Sequence, residues 1–137
     1  MGDAEVEVAI EVESDIVQAR SGARDFARQL GFGPIDQSRI TTAVSELARN
    51  VIKYATDGRG QVRIRRVENA DRRAGIEVIV ADEGPGIENL EFAMRDGTTT
   101  SGSLGLGLPG TRRLMDEMVV ETASGSGTTV TIRKWLR

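Results

Sequence analysis

Residues 45–55 read SELARNVIKYA, and their spacing predicts a helix. Ile40, Val44, Leu47, Val51 and Tyr54 recur at helical intervals and form one apolar stripe toward a core. At about 100° per residue, Asn50 stands roughly 80° from the centre of that stripe and Glu46 roughly 120°. Both sit on the border between core and solvent, with Lys53 slightly further round on the same side. An ordinary solvated flank has this composition, and so does one wall of a cleft. In a cleft, Asn50 offers a neutral oxygen to a hard cation, and Mg²⁺ takes such oxygens together with nucleotide phosphates. Glu46 could then accept a proton from an attacking hydroxyl, and Lys53 could neutralise phosphate charge.

Toward the N-terminus, AEVEVAIEV (4–12) alternates apolar and mostly acidic residues. That predicts a half-buried strand with Val6, Val8, Ile10 and Val12 on one face. Ser14 or Asp15 caps a following helix, whose stripe is Ile16, Ala19, Ala23, Phe26, Ala27 and Leu30. Gly31 stops it, GFGP is a loop, and Asp36 or Ser38 opens the helix that carries the quoted stretch. Toward the C-terminus, Val62, Ile64 and Arg66 alternate as a strand, and NADRRAG is a polar turn. Ile76 to Asp82 forms a second strand, ended by EGPG. A short helix and then a small, polar loop are expected over 88–104, with the lid-like segment of roughly 89–104 as the expected partner-docking surface. Leu108 or Pro109 opens a helix ending near Asp116. Strands follow at Met118–Thr122 and Thr128–Trp135. The order β-α-α-β-β-(α)-α-β-β predicts a mixed β-sheet covered on one face by helices, a two-layer α/β (α+β) sandwich.

The chain has 137 residues, the size of one domain, here 1–137. Its 18 basic and 21 acidic residues give a net charge of −3, which argues against a general nucleic-acid binder. It contains neither Cys nor His, which removes disulfides, thiolate or imidazole metal sites, and a Ser-His-Asp triad. Acid–base work must fall to carboxylates, Lys or Tyr. No apolar run approaches the roughly 18 residues of a membrane span. The acidic MGDAEVEV start lacks the order of a signal peptide, and Val6 stands where a myristoylation signal wants Ser or Thr. A cytoplasmic location without membrane contact is expected.

GLGLPG (105–110) matches G-x-G-x-x-G, but not as a dinucleotide fingerprint. That motif belongs in the first βα turn with an acidic residue about 20 positions on, and neither condition holds. G-x-x-x-x-G-K-[ST] is absent too. What remains is physical. Gly102, Gly105, Gly107 and Gly110 permit close backbone approach and positive φ just before a helix start, where free amides suit phosphate. A flexible loop before a helix would look similar. DEGPGI (82–87) reads alone as a Pro-Gly turn. It also places the Asp82 carboxylate at a strand end, where it could accept a hydrogen bond from an exocyclic amine beside a glycine that admits a flat ring.

The order of the pieces is more specific than any one of them. E-x-x-x-N-x-x-K-Y lies on a helix, D-x-G-x-G-I follows a strand, then come a lid-like loop, G-x-G-L, and GT before a final strand. This arrangement resembles the GHKL ATP-binding superfamily (the Bergerat fold), which includes gyrase, the sensor histidine kinases and the MutL repair proteins. The resemblance implies ATP and Mg²⁺ as cofactors, with Asn50 as the metal ligand and Glu46 as the catalytic base. It implies Asp82 as the adenine reader, with Gly84 and Gly86 making room and Thr128 (Thr129 is adjacent) supporting Asp82. Gly105, Leu106, Gly107 and Leu108 would face the phosphates, and Lys53 matches the lysine of the helix motif. With 137 residues no transducer domain is expected, which argues against a gyrase- or MutL-type machine. With no histidine and no dimerisation hairpin, a complete sensor kinase is not expected.

Beyond the nucleotide motifs, FARQLGFGPIDQSRITTAVSELARN, DGTTTSGSLGLGLPGTRRLMDE and the ending IRKWLR resemble the switch serine kinases of the stressosome. That branch implies phosphorylation of Ser or Thr on STAS-domain proteins of the RsbS and RsbR type, and a downstream phosphatase of the RsbU type. An anti-sigma factor that uses ATP for switching shares every nucleotide motif and is the rival reading.

Overall fold

The computed structural model describes residues 5–54, 59–83, 107–122 and 127–137. Five strands, β1 (Val6–Ile10), β2 (Gly60–Glu68), β3 (Ala74–Asp82), β4 (Glu117–Thr122) and β5 (Thr128–Trp135), form one sheet in the order β1-β2-β3-β5-β4. Helices α1 (Glu13–Leu30), α2 (Pro34–Tyr54) and α3 (Leu108–Leu114) complete the described elements. The short helix and lid expected over 88–104, and the GPG of DEGPGI, lie outside the described residues. No described helix is long and apolar enough to cross a membrane.

The two-layer arrangement is as expected, but the sheet is not mixed. Every described strand pair is antiparallel. The connection between β1 and β2 contains two helices, and each reverses the chain, so β2 returns antiparallel to β1. A single crossover helix would have given a parallel pair. After α3, β4 runs in the direction of β3, but the β4–β5 hairpin folds back and inserts β5 between them.

Alternation sets the faces. Val8, Ile10, Val62, Ile64, Ile76, Val78, Val80, Val130 and Ile132 are buried beneath the helices. The helices answer with Ile16, Ala19, Ala23 and Ala27 of α1 and Ile40, Val44, Leu47 and Val51 of α2. Alanines at i, i+4 spacing let α1 lie close to its neighbours.

Three boundaries differ from expectation. β1 ends at Ile10, and Val12, expected on the buried face, is 57% exposed as the residue preceding α1. The Asp15 carboxylate accepts the Glu11 and Val12 amides at 2.8 and 3.0 Å, the reach-back half of a capping box, and draws the chain early into the helix. α2 begins at Pro34 rather than Asp36 or Ser38, because proline's fixed φ and missing N–H suit a first helical position. Gly31 does end α1, with φ 111°. Its amide and that of Phe32 take up the last carbonyls of the helix, and Phe32 is buried behind them.

Candidate active site

The polar edge of α2 develops as its sequence predicts. Ile40, Val44, Leu47 and Val51 are buried, which turns Glu46 and Asn50 to the rim as half-buried residues and leaves Lys53 exposed. Asn50 and Asp82 both have interaction partners within the protein. The Glu46 side chain is 42% exposed, and its Oε1 lies 3.4 Å from the Arg49 guanidinium. Its other oxygen faces α3. A Cβ built on Gly107 would stand 2.9 Å from Glu46 Oε2. Gly107 has φ 68°, a left-handed conformation that other residues adopt at a cost. Two separate features therefore reserve position 107 for glycine, and the start of α3 lies directly against the carboxylate of α2.

Leu108 is 1% exposed, so its side chain anchors the start of α3 in the core and only its backbone is left to meet a ligand. Pro109 and Thr111 are buried as well. The Thr111 hydroxyl is the one buried side-chain polar atom without a hydrogen-bond partner among the described residues.

The third wall is built by the sheet. Gly60 is the register partner of Asp82 on one side, and Thr128 is its partner on the other. Asp82 continues the face of Val78 and Val80, so its side chain points toward the helices. Thr128 shares that face, whereas Thr129 opposes Ala81 and points away; the register sets Thr128 beside Asp82. The Thr128 and Thr122 hydroxyls lie 2.9 Å apart. A Cβ on Gly127 would overlap the Asp82 carbonyl, and one on Gly60 would come 2.7 Å from Val51 Cγ1. Thus α2 rests through Val51 on the backbone of Gly60, one strand from Asp82, while five residues earlier its Glu46 meets Gly107.

The structure thereby gathers Glu46, Asn50, Gly107, Asp82 and Thr128 around the C-terminal half of α2. Gly84, Gly86, Gly105 and Leu106 lie outside the described residues. Sequence reading missed Arg49 as the partner of Glu46, although their i, i+3 spacing was visible. It also missed Gly60 and Gly127, whose need appears only when strands and helix are assembled. A cavity of about 340 Å³, lined by Ala9, Arg59, Gly60, Gln61, Ala81, Asp82 and Glu83, opens at the same end of the sheet. Ala9, Gln61 and Ala81 point to the face away from the described helices, so this hollow lies on the other side of the sheet from Glu46 and Gly107.

Residues 9–134 match the model of the histidine kinase-like ATPase domain. The serine/threonine-protein kinase RsbT of Bacillus subtilis (strain 168) is 52% identical over 131 residues, covering 95% of this chain and 96% of that protein. The anti-sigma F factor of Caldanaerobacter subterraneus subsp. tengcongensis is 36% identical over 121 residues, covering 86% of this chain and 83% of that protein. Among solved structures, the RsbU and RsbW domains of a Mycobacterium tuberculosis protein match all of this chain and 33% of that one, at a TM-score of 0.64 and 20% identity; this likeness concerns the fold.

Proposed function

The chain belongs to the histidine kinase-like ATPase domain family, and we propose that it acts there as a serine/threonine-protein kinase on STAS-domain proteins of the RsbS and RsbR type. The observation that carries this reading is the convergence on α2. Glu46 touches the glycine that starts α3, and five residues later Val51 rests on the strand partner of Asp82.

ATP would lie with its adenine amine on Asp82, supported by Thr128, and its triphosphate along the Gly105–Leu108 segment. Among the described residues no three acidic side chains gather as a metal cage. A cation here would thus arrive with the phosphates and take Asn50 as its protein ligand, as Mg²⁺ does in nucleotide sites. When bound, Mg²⁺ would supply charge neutralisation at the phosphates. Glu46 would accept the proton of the partner's hydroxyl as its oxygen bonds to the γ-phosphorus and the bond to the ADP oxygen breaks. Arg49 holds Oε1, leaving Oε2, the oxygen toward Gly107, to take that proton. Lys53, exposed and further along α2, would add positive charge near the phosphates. Positioning and electrostatics carry most of such a transfer. The released kinase would then engage an effector such as an RsbU-type phosphatase.

The anti-sigma reading shares these residues. The kinase relative has the higher identity and the fuller coverage, 52% over 95% of the chain against 36% over 86%. The test is labelled-ATP transfer to STAS-domain proteins encoded near this gene. Transfer to Ser or Thr is expected, with Glu46→Gln retaining ATP affinity while losing about 100-fold or more in rate. A Glu46→Gln protein that labels its partner at the wild-type rate removes Glu46 as the base. Absence of transfer together with tight binding of a sigma subunit favours the anti-sigma reading.

A further inference from the structure

The C-terminal IRKWLR places a lysine where the fold has no room for an unpaired one. Lys134 lies on the helix-covered face of β5, following Val130 and Ile132, and is 5% exposed. Its ammonium donates to the Leu114 carbonyl at 3.0 Å. Asp36 Oδ1 and Asp116 Oδ1 each stand 3.9 Å away. Leu114 is the last residue of α3, and Asp36 lies in the first turn of α2. A buried ammonium is costly unless it is paired and hydrogen-bonded. Here it satisfies a carbonyl that has no partner within its own helix.

α3 has seven residues, too few to persist without outside support. One end is the Gly107 segment against Glu46. The other end is held by Lys134 and by the turn at Asp116, whose amide donates to the Arg133 carbonyl at 2.9 Å. Asp116 also accepts the Trp135 amide at 2.8 Å and the Arg137 guanidinium at 2.6 Å. The same ammonium thus faces the end of α3 and the start of α2, the two elements on either side of the proposed phosphoryl transfer.

We infer that Lys134 is a positioning residue for the kinase reaction, fixing the distance between the Gly107 end of α3 and the Glu46–Asn50 edge of α2. The inference rests on the reading that the start of α3 faces the phosphates of ATP. It concerns a residue that touches no substrate and acts through the helix it holds.

The test compares the full-length chain with Lys134→Met and Lys134→Arg. It uses circular dichroism for folding, calorimetry with Mg·ATP, and steady-state transfer with both substrates varied. Lys134→Met, folded at assay temperature, should lose about 10- to 100-fold in kcat/KM for ATP. The KM for the protein substrate should stay unchanged, and Lys134→Arg should recover part of the loss. A folded Lys134→Met with wild-type ATP parameters overturns the inference. So does a fall in kcat with unchanged KM for ATP that merely tracks the folded fraction. If Lys134→Met does not fold, Asp36→Asn decides. It removes the α2 carboxylate and leaves the Leu114 bond. Asp36 Oδ1 also accepts Arg39 Nη1 at 2.9 Å, so Arg39→Met is the control. About threefold weaker ATP binding in Asp36→Asn and not in Arg39→Met supports the inference, and unchanged binding, or equal weakening in both, overturns it. If Gly107→Val and Asn50→Ala both bind ATP normally, the placement of ATP itself is wrong and the inference falls with its premise.

Discussion

At the scale of single residues, the site depends on contacts that admit little substitution. Asp82 is set between Gly60 and Thr128 by register, and the glycine at 127 lets the chain pass over the Asp82 carbonyl. Asp82→Asn keeps this shape and replaces a charged acceptor by a neutral amide. A hydrogen bond to a charged group is worth about 1.5–3 kcal/mol, so ATP should bind roughly 10- to 100-fold more weakly. The melting temperature should change little, because Asp82 lies at the end of its strand. Calorimetric titration with ATP and with GTP checks this. Unchanged ATP affinity would remove Asp82 as the base-reading residue. Much of this scale was legible in sequence: Glu46, Asn50 and Asp82 stand where the helical stripe and the strand end put them. The glycine contacts were not, since a close approach exists only between elements distant in the chain.

At the scale of elements, α1 shows how small residues govern the distance between layers. Ala19, Ala23 and Ala27 are fully buried on one face, with Ile16 on the same stripe near the helix start. Ala23→Leu would force three additional carbons into this face. Overpacking of this kind costs about 1–3 kcal/mol, which lowers the melting temperature by about 4–12 °C. Thermal unfolding followed at 222 nm measures it, and a variant as stable as wild type would mean that α1 can shift outward freely. Element identity was readable from periodicity, and the two C-terminal strands and α3 fall almost where predicted. Pairing order was not readable. Nothing local in Glu117–Thr122 or Thr128–Trp135 states that β5, and not β4, lies next to β3; hairpin insertion is settled by the whole sheet. Boundaries failed where a single side chain decided them, as with Asp15 reaching back to Val12.

At the scale of the whole molecule, the face of the sheet away from the described helices is tied together by charge. Alternation places Glu77 there, opposite Arg65 on β2 and Arg133 on β5, a position that reads as solvent-facing. The structure instead buries it to 1% exposure beneath both guanidinium groups. Arg133 binds its Oε2 at 2.7 Å and reaches Glu117 of β4 at 3.0 Å, so one chain of ion pairs crosses β2, β3, β5 and β4. Burial pushes the Glu77 carboxyl up, but the hydrogen bonds and charges of Arg65 and Arg133 outweigh it and hold the group below the ordinary glutamate value of 4.5. The Asp15 carboxyl is likewise held low by the Val12 and Glu11 amides. Both groups are more acidic folded than unfolded. Their contribution is therefore complete above the unfolded values and is lost as pH falls through the folded ones. Glu77→Gln should cost about 1–3 kcal/mol at neutral pH, because it leaves two arginines facing a neutral amide. As pH falls below the ordinary glutamate value the gap should narrow, because proton uptake by the unfolded wild-type chain progressively removes the advantage of the lowered folded carboxyl. Urea unfolding of both proteins at pH 7 and at about pH 3 checks the sign, and a gap that stays constant or widens in acid would show that the Arg65–Glu77–Arg133 bridge contributes no pH-dependent stability.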